Sequence, residues 1–132
     1  AMALEACSYD YAATQLGQGY ADRHIDALPV PSRLVVSTEL AAGTRFPTDG
    51  QAYEGMAGLI KKRNDLVHFK SKRFDLARPN EYADYREKFI ADLDAWACAS
   101  PEVVREVVKE VGRLHGDEEG YAWCIEPTQC HA

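Results

Sequence analysis

Apolar residues recur at three- and four-residue steps along most of the chain, a spacing typical of amphipathic helices. The first such stretch runs from Met2 to about Leu28. It carries the pattern at Leu4, Cys7, Tyr11 and Thr14. Gly17 and Gly19 weaken helix in the middle of this stretch, so we expect a kink or a break there.

Two prolines separate this stretch from the next. Pro29 and Pro31 stop the first helix, and Ser32 is a candidate to cap or begin the second. The apolar positions of residues 32–42 are Leu34, Val35, Val36 and Leu40. They fit a short helix, but the adjacent β-branched valines also fit a strand. Gly43 reads as a helix end, and residues 46–50 as a loop.

The third stretch, from about Asp49 to Phe69, gives the clearest helical pattern. Its wide apolar face is made of Tyr53, Met56, Leu59, Ile60, Leu66 and Val67. The charged run of residues 61–65 interrupts that face. We therefore predict a helix with one apolar side and a strongly charged patch near its C-terminal end.

Two more helices are predicted beyond residue 79. Asn80 is a good N-cap for a helix over residues 80–98, and Ser100-Pro101 matches the start of another that runs to about Gly112. The apolar side of the first is formed by Tyr82, Tyr85, Phe89, Leu93 and Trp96. The fold class predicted is all-α, an antiparallel four- to five-helix bundle over residues 1–116, followed by an acidic, irregular tail over residues 117–132.

The composition fits one globular domain of 132 residues, with 46% hydrophobic and 27% charged residues, and argues against a disordered chain. No apolar run is long enough for a transmembrane helix. The N-terminus lacks a basic region followed by an apolar core, so no secretory signal is expected. We accordingly predict a cytoplasmic protein with no membrane association.

Charge is unevenly distributed along the chain. The net charge of −6 argues against broad attraction to nucleic acid. Against this background, the basic residues Lys61, Lys62, Arg63, Lys70, Lys72 and Arg73 cluster around the single acid Asp65. This local strip is typical of an anion-facing surface, although cations near a helix C-terminus are also favoured by the helix dipole.

The segment from Leu59 to Lys70 contains Arg63-Asn64, three further residues, and His68. This arrangement resembles the signature of the HEPN family (higher eukaryotes and prokaryotes nucleotide-binding), in which an Arg, a polar residue and a later His lie near the end of a bundle helix. The order of the predicted elements over roughly residues 2–114 is similar to the four-helix core of that family. The resemblance implies a HEPN-like fold.

The resemblance also implies a function, which is RNA binding or metal-independent RNA cleavage. His68 would exchange a proton with a 2′-hydroxyl or the leaving oxygen, Arg63 would meet the charge that develops on phosphorus, and Asn64 would support them. An imidazole titrates near neutral pH and a guanidinium offers a planar donor fork to phosphate, so the residue types suit these roles. No cofactor and no metal are expected. The other basic residues of the strip would guide the RNA backbone, namely Lys61, Lys62, Lys70, Lys72 and Arg73.

Helix geometry makes an oligomer part of this prediction. Asn64 and His68 are four residues apart and share a face, whereas Arg63 and His68 point about 140° apart on a regular helix. One helix therefore presents the Arg and His poorly to one phosphate. In the HEPN family the site is typically built where two such helices meet across a dimer, which implies a homodimer here.

Each of these residues also has a purely structural interpretation. His68 would end a helix and bond a free carbonyl, Arg63 would pair with Glu54, Asp65 or an acid on the following helix, and Asn64 would bond locally. The competing class is then a non-catalytic helical module for dimerisation or for binding a protein or nucleotide partner.

Other candidate residues are weaker. His24 and His115 fit surface positions, with His115 compensating a helix dipole. Cys124, Cys130 and His131 form a cluster whose spacing is a poor match to zinc sites. The aromatic residues could stack on bases, but at helical spacing they more often belong to a core or an interface.

Overall fold

The computed structural model describes residues 1–67 and 79–117, and every regular element in them is helical. The elements are α1 (Met2–Leu16), α2 (Gln18–Tyr20) with a π-helical turn (Ala21–Ile25), α3 (Val30–Ala42), α4 (Gln51–Val67) and α5 (Pro79–His115). The all-helical prediction is confirmed for this part of the chain. The irregular tail predicted for residues 117–132 lies outside the described residues, apart from Asp117.

Glycines end the first and third helices as expected from the sequence. Gly17 has a φ of 90° and Gly43 a left-handed φ of 67°, conformations that residues with a Cβ adopt only with strain. The Gly43 amide still donates to the Glu39 carbonyl at 3.1 Å. The predicted break near Gly17 is therefore present, and the chain beyond it continues as a short helical and π-helical segment.

The region of uncertain type after Pro29 is helix α3, not a strand. The predicted role of Ser32 as a cap is wrong, because α3 begins earlier, at Val30, with Pro31 inside its first turn. Proline is well tolerated there, since the first amides of a helix have no intrahelical acceptor.

The predicted pair of helices beyond residue 79 is a single helix, α5, with Pro101 inside it. Neither Asn80 nor Ser100 begins a helix. Proline cannot donate the bond that residue 101 would give to the carbonyl of Ala97. The Ser100 hydroxyl donates to that same carbonyl at 2.9 Å, so the acceptor is satisfied and the helix continues.

The helices pack as two main pairs, α1 against α3 and α4 against α5, with α3 also touching both members of the second pair. One core joins the pairs. Its buried members are Leu4, Tyr11, Val30, Leu34, Phe46, Met56, Leu59, Val107 and Val111. Phe46 lies in the loop predicted after Gly43, and its side chain is fully buried in this core. Its amide donates a hydrogen bond to the Thr38 hydroxyl of α3 at 3.1 Å.

A buried arginine, Arg33 of α3, joins the first helices of the chain. This residue is only 8% exposed. Its guanidinium donates to the carbonyl oxygens of Glu5 at 3.3 Å and Asp26 at 2.7 Å. It also forms an ion pair with the Asp26 carboxylate at 3.5 Å. Burial of this charge is tolerated because oxygen acceptors from α1 and from the segment before α3 surround it.

Helix α5 has 37 residues, which corresponds to about 55 Å of length. Its buried apolar residues, Val107, Val108 and Val111, all lie in its C-terminal half. Its N-terminal half packs mainly beside the C-terminal half of α4. Together these two helix halves carry the residues that the sequence singles out.

Candidate functional site

Arg63 and Asn64 lie on the last turns of α4, close to its C-terminal end. Asn64 is exposed, and the side chain of Arg63 is 40% exposed. The Arg63 guanidinium donates from Nη1 to Asn64 Oδ1 at 3.0 Å. The two adjacent residues of the predicted motif are therefore in direct contact at the surface.

The second partner of Arg63 comes from α1. Glu5 Oε1 lies 3.6 Å from Arg63 Nη2, and the Glu5 side chain is 38% exposed. The partners expected from the sequence are Glu54, Asp65 or an acid on the following helix. No sequence pattern points to Glu5, because 58 positions separate it from Arg63 and only the packing of the bundle brings them together.

The two described lysines of the basic strip have different surroundings. Lys62 is 28% exposed and forms an ion pair with Asp92 of α5, which joins the two helices. Lys61, on the neighbouring position of α4, is exposed. Of the two, only Lys61 presents its charge to solvent without an acid from α5 beside it.

The remaining predicted site residues are His68, Lys70, Lys72 and Arg73, and they lie outside the described residues. The predicted sharing of one helix face by Asn64 and His68 therefore stays a prediction, as does the role of His68 as proton donor and acceptor.

Large apolar side chains are exposed close to Arg63. Leu66 and Val67 of α4 are 52% and 61% exposed, and Tyr82 and Ile90 of α5 are 54% and 46% exposed. Leu66 and Val67 belong to the apolar face predicted for α4, but at this end of the helix that face is exposed. The buried residues of α4 are Met56 and Leu59, so its last two turns extend past the core.

These exposed residues lie at the same end of the α4–α5 pair. The helices run antiparallel, with Lys62 paired to Asp92 and Gly58 lying against Trp96. This register places Leu66 near the level of Ile90. Ile90 lies two positions from Asp92, which faces α4, so Ile90 points to another side of α5. Exposed apolar residues at one end of a helix pair are candidates for contact with another molecule.

Two histidines outside the motif, His24 and His115, differ in their burial and in their contacts. His24 is exposed, and its ring lies 4.7 Å from that of Tyr20. His115 is half-buried, and its Nε2 lies 2.5 Å from the hydroxyl of Tyr11 on α1. His115 lies in the last turn of α5, where the predicted compensation of the helix dipole would place it, and its contact with Tyr11 spans 104 positions of sequence.

Within residues 1–67 and 79–117, no group of three or more His, Cys, Asp or Glu side chains could hold a metal ion. A cavity of about 430 Å³ lies beside the N-terminus of α4, between Gln51 and Arg113. Gln51 is about 18 Å from Arg63 along the helix axis. The cations of this cavity, Lys109 and Arg113, are paired with Glu106 and Glu110 of their own helix.

In the part of the chain that the structure describes, no helix combines the length and the apolar character needed to cross a bilayer. Comparisons with protein-family models, with curated proteins and with solved structures found no match. The geometry of the α4–α5 end and the residues of the motif are therefore the features of the chain that bear on its function.

Proposed function

We propose that this chain is a HEPN-like RNA-binding protein that cleaves RNA without a metal ion, with Arg63, Asn64 and His68 at the cleft of a homodimer. The observation that carries the proposal is the exposure and the orientation of the Arg63 side chain. Its guanidinium is partly exposed at the surface and is oriented by Asn64. A planar, permanently charged donor held in this way is suited to binding the oxygens of a phosphodiester.

The proposed reaction is a transfer within the RNA. His68 accepts the proton of a 2′-hydroxyl, and the O2′–phosphorus bond forms as the phosphorus–O5′ bond breaks. The leaving O5′ takes a proton from the His68 of the partner subunit, and the products are a 2′,3′-cyclic phosphate and a 5′-hydroxyl. Arg63 stabilises the additional negative charge on the phosphate oxygens while five oxygens surround phosphorus.

Charge around Arg63 supports RNA as the substrate class. Lys61 is exposed two positions before Arg63, on a different side of α4, and is available to a phosphate elsewhere on the bound strand, whereas Lys62 is paired with Asp92. We assign the guidance of the RNA backbone to Lys61 first, and to Lys70, Lys72 and Arg73 as further contacts. Because the chain carries a net charge of −6, this local strip is its main attraction for a polyanion.

The apolar residues near Arg63 support the homodimer. Leu66, Val67, Tyr82 and Ile90 are exposed in the single chain. A second copy that covers them would bring two copies of α4 together at their C-terminal ends. Such a dimer would surround one cleft with two arginines and two histidines.

The same exposed patch favours a second candidate function, a non-catalytic module that dimerises or binds a protein partner through the α4–α5 end. In this alternative Arg63 remains bound to Glu5 and Asn64, and the patch carries the function. The two candidates differ in one observable, which is RNA cleavage.

The test is cleavage of a labelled single-stranded RNA by the purified protein in the presence of a metal chelator. We expect cleavage by the wild type and a loss of about 10²–10⁴-fold in the His68→Ala variant. Arg63→Ala should also lose activity. Arg45→Ala is the matched control, since Arg45 is an exposed arginine in the loop before α4, at the opposite end of that helix from Arg63, where it is paired with Glu39, and it should retain wild-type activity.

Cleavage that survives in His68→Ala would show that the catalytic assignment is wrong. A wild-type protein that forms a dimer but cleaves no RNA would favour the interaction module.

A further inference from the structure

Glu5 is the acidic residue that contacts the motif arginine, and the sequence analysis assigns it no role. It lies in the first turn of α1, and its carboxylate reaches across to α4, where Oε1 is 3.6 Å from Arg63 Nη2. Asn64 receives a hydrogen bond from the other terminal nitrogen, Nη1. Both terminal nitrogens of the guanidinium therefore face a protein oxygen.

This arrangement has a consequence for any phosphate that approaches Arg63. A bidentate contact needs two N–H groups of the guanidinium to point at two phosphate oxygens. In the present geometry the Nη2 side of that fork faces the Glu5 carboxylate. A phosphate can bind there only by displacing the carboxylate or by accepting its negative charge as a close neighbour.

The Glu5 side chain has no comparable task in the fold. Its main-chain carbonyl accepts a hydrogen bond from Arg33 at 3.3 Å, which ties α1 to α3, and another from Ser8 of α1 itself at 3.0 Å. The carboxylate itself is 38% exposed, and its ion pair is with Arg63. Ion pairs exposed to this extent are weak and easily exchanged for another anion.

We infer that Glu5 is a positioning residue that holds the Arg63 guanidinium in the free protein and competes with RNA phosphate for it. This inference rests on the proposed function, since it assumes that Arg63 contacts RNA. The Glu5 carboxylate orients the Arg63 guanidinium near the surface. RNA has to displace this carboxylate, so RNA binds less tightly than it would to an arginine without an acidic partner.

The experiment is a double-mutant cycle on RNA affinity, measured by fluorescence anisotropy with a short labelled single-stranded RNA. The variants are Glu5→Gln, Arg63→Ala and the two combined, with thermal unfolding used to confirm that each is folded. Glu39→Gln is the matched control, because it removes the same charge from another exposed glutamate–arginine pair. It corrects for the general gain in affinity that follows from a less negative protein.

We expect Glu5→Gln to tighten RNA binding about two- to fivefold beyond the control. Arg63→Ala should weaken binding about tenfold or more, and in that background Glu5→Gln should give no gain beyond the control. A Glu5→Gln effect equal to that of Glu39→Gln, or one that persists without Arg63, would overturn the inference while leaving the RNA contact intact. Wild-type affinity in Arg63→Ala would instead remove the RNA contact on which the proposed function depends.

Discussion

The indole of Trp96 lies directly against the backbone of α4 because position 58 has no side chain. A Cβ at Gly58 would overlap the six-membered ring of Trp96, with two further ring carbons at 3.0 and 3.1 Å. At Gly55, one turn earlier, an added Cβ would meet the methyl groups of Val103 at 3.3 and 3.4 Å. The two glycines thus differ in how closely α5 approaches them.

Gly58→Ala should destabilise the protein by about 1–3 kcal/mol, because the indole is too large and too rigid to move without losing its packing. Chemical denaturation measures this change. Gly55→Ala is the control, since its tight contact is offset by the better helix propensity of alanine, and it should stay within about 1 kcal/mol of the wild type. Equal effects at both positions would contradict the close approach of Trp96.

Tyr9 is a second residue whose properties depend on one neighbour. Its hydroxyl donates to the Asp22 carboxylate, and this hydrogen bond is the main reason why the pKa of Tyr9 is raised above its usual value of 10.0. Because the folded pKa is raised, the contact stabilises the fold below about pH 10 and is lost as the pH rises through the pKa of Tyr9.

Asp22→Asn should move the pKa of Tyr9 part of the way back toward 10.0, because the amide removes the negative charge while it can still accept the hydrogen bond. Ultraviolet titration of tyrosinate measures the shift. The chain has seven tyrosines, so the Tyr9→Phe variant supplies the difference spectrum. An unchanged Tyr9 titration in Asp22→Asn would show that the carboxylate has no part in it.

Whether a contact could be predicted from the sequence depends on how far apart its two residues lie along the chain. Arg63 and Asn64 are adjacent, and the sequence identified both as surface residues of one helix. Glu5 is far along the chain from its partner Arg63, and Tyr11 is far from its partner His115. Nothing in the local sequence pattern indicates either contact. Only the packing of α1 against the rest of the bundle creates these contacts.

At the level of elements, α5 departs most from the sequence prediction. Ser100-Pro101 has the signature of a helix start, yet the helix is continuous from Pro79 to His115. The signature is ambiguous because a serine before proline can cap a new helix or satisfy the carbonyl that proline leaves without a donor. Here the hydroxyl of Ser100 bonds the Ala97 carbonyl, and the sequence offers no means to distinguish the two cases.

Pro101→Ala should stabilise the protein by about 1–3 kcal/mol, because alanine restores the amide and has a much better helix propensity. Ser100→Ala should destabilise it by about 0.5–1.5 kcal/mol, since the Ala97 carbonyl then loses its donor. Thermal and chemical unfolding measure both effects. Ser32→Ala is the control, because Ser32 is exposed and does not cap α3, and its effect should be within about 0.5 kcal/mol.

A destabilised Pro101→Ala variant would argue that the proline is needed in α5. The helix ends at Gly17 and Gly43, by contrast, were predictable because both positions have a positive φ, which glycine adopts without strain.

For the whole molecule, the sequence predicted the apolar periodicity of α4 but not where the core ends along it. Met56 and Leu59 are buried, whereas Leu66 and Val67, with the same periodicity, are exposed. Periodicity states which side of a helix is apolar and carries no information about how far the neighbouring helices extend. The excess apolar surface is therefore visible only in the assembled fold.

The homodimer proposed above makes this excess surface an interface. Ile90→Asp should shift the protein toward monomer in sedimentation equilibrium, because in a two-fold interface each substitution places two carboxylates in an apolar contact. Leu40→Asp is the matched control, since Leu40 of α3 is as exposed as Leu66 but lies away from the α4–α5 end. If Ile90→Asp leaves the association unchanged while Leu40→Asp disrupts it, the interface lies on α3 instead. A dimer joined through α3 would leave the two copies of Arg63 without a shared cleft, and RNA cleavage that depends on two subunits would then lose its geometric basis.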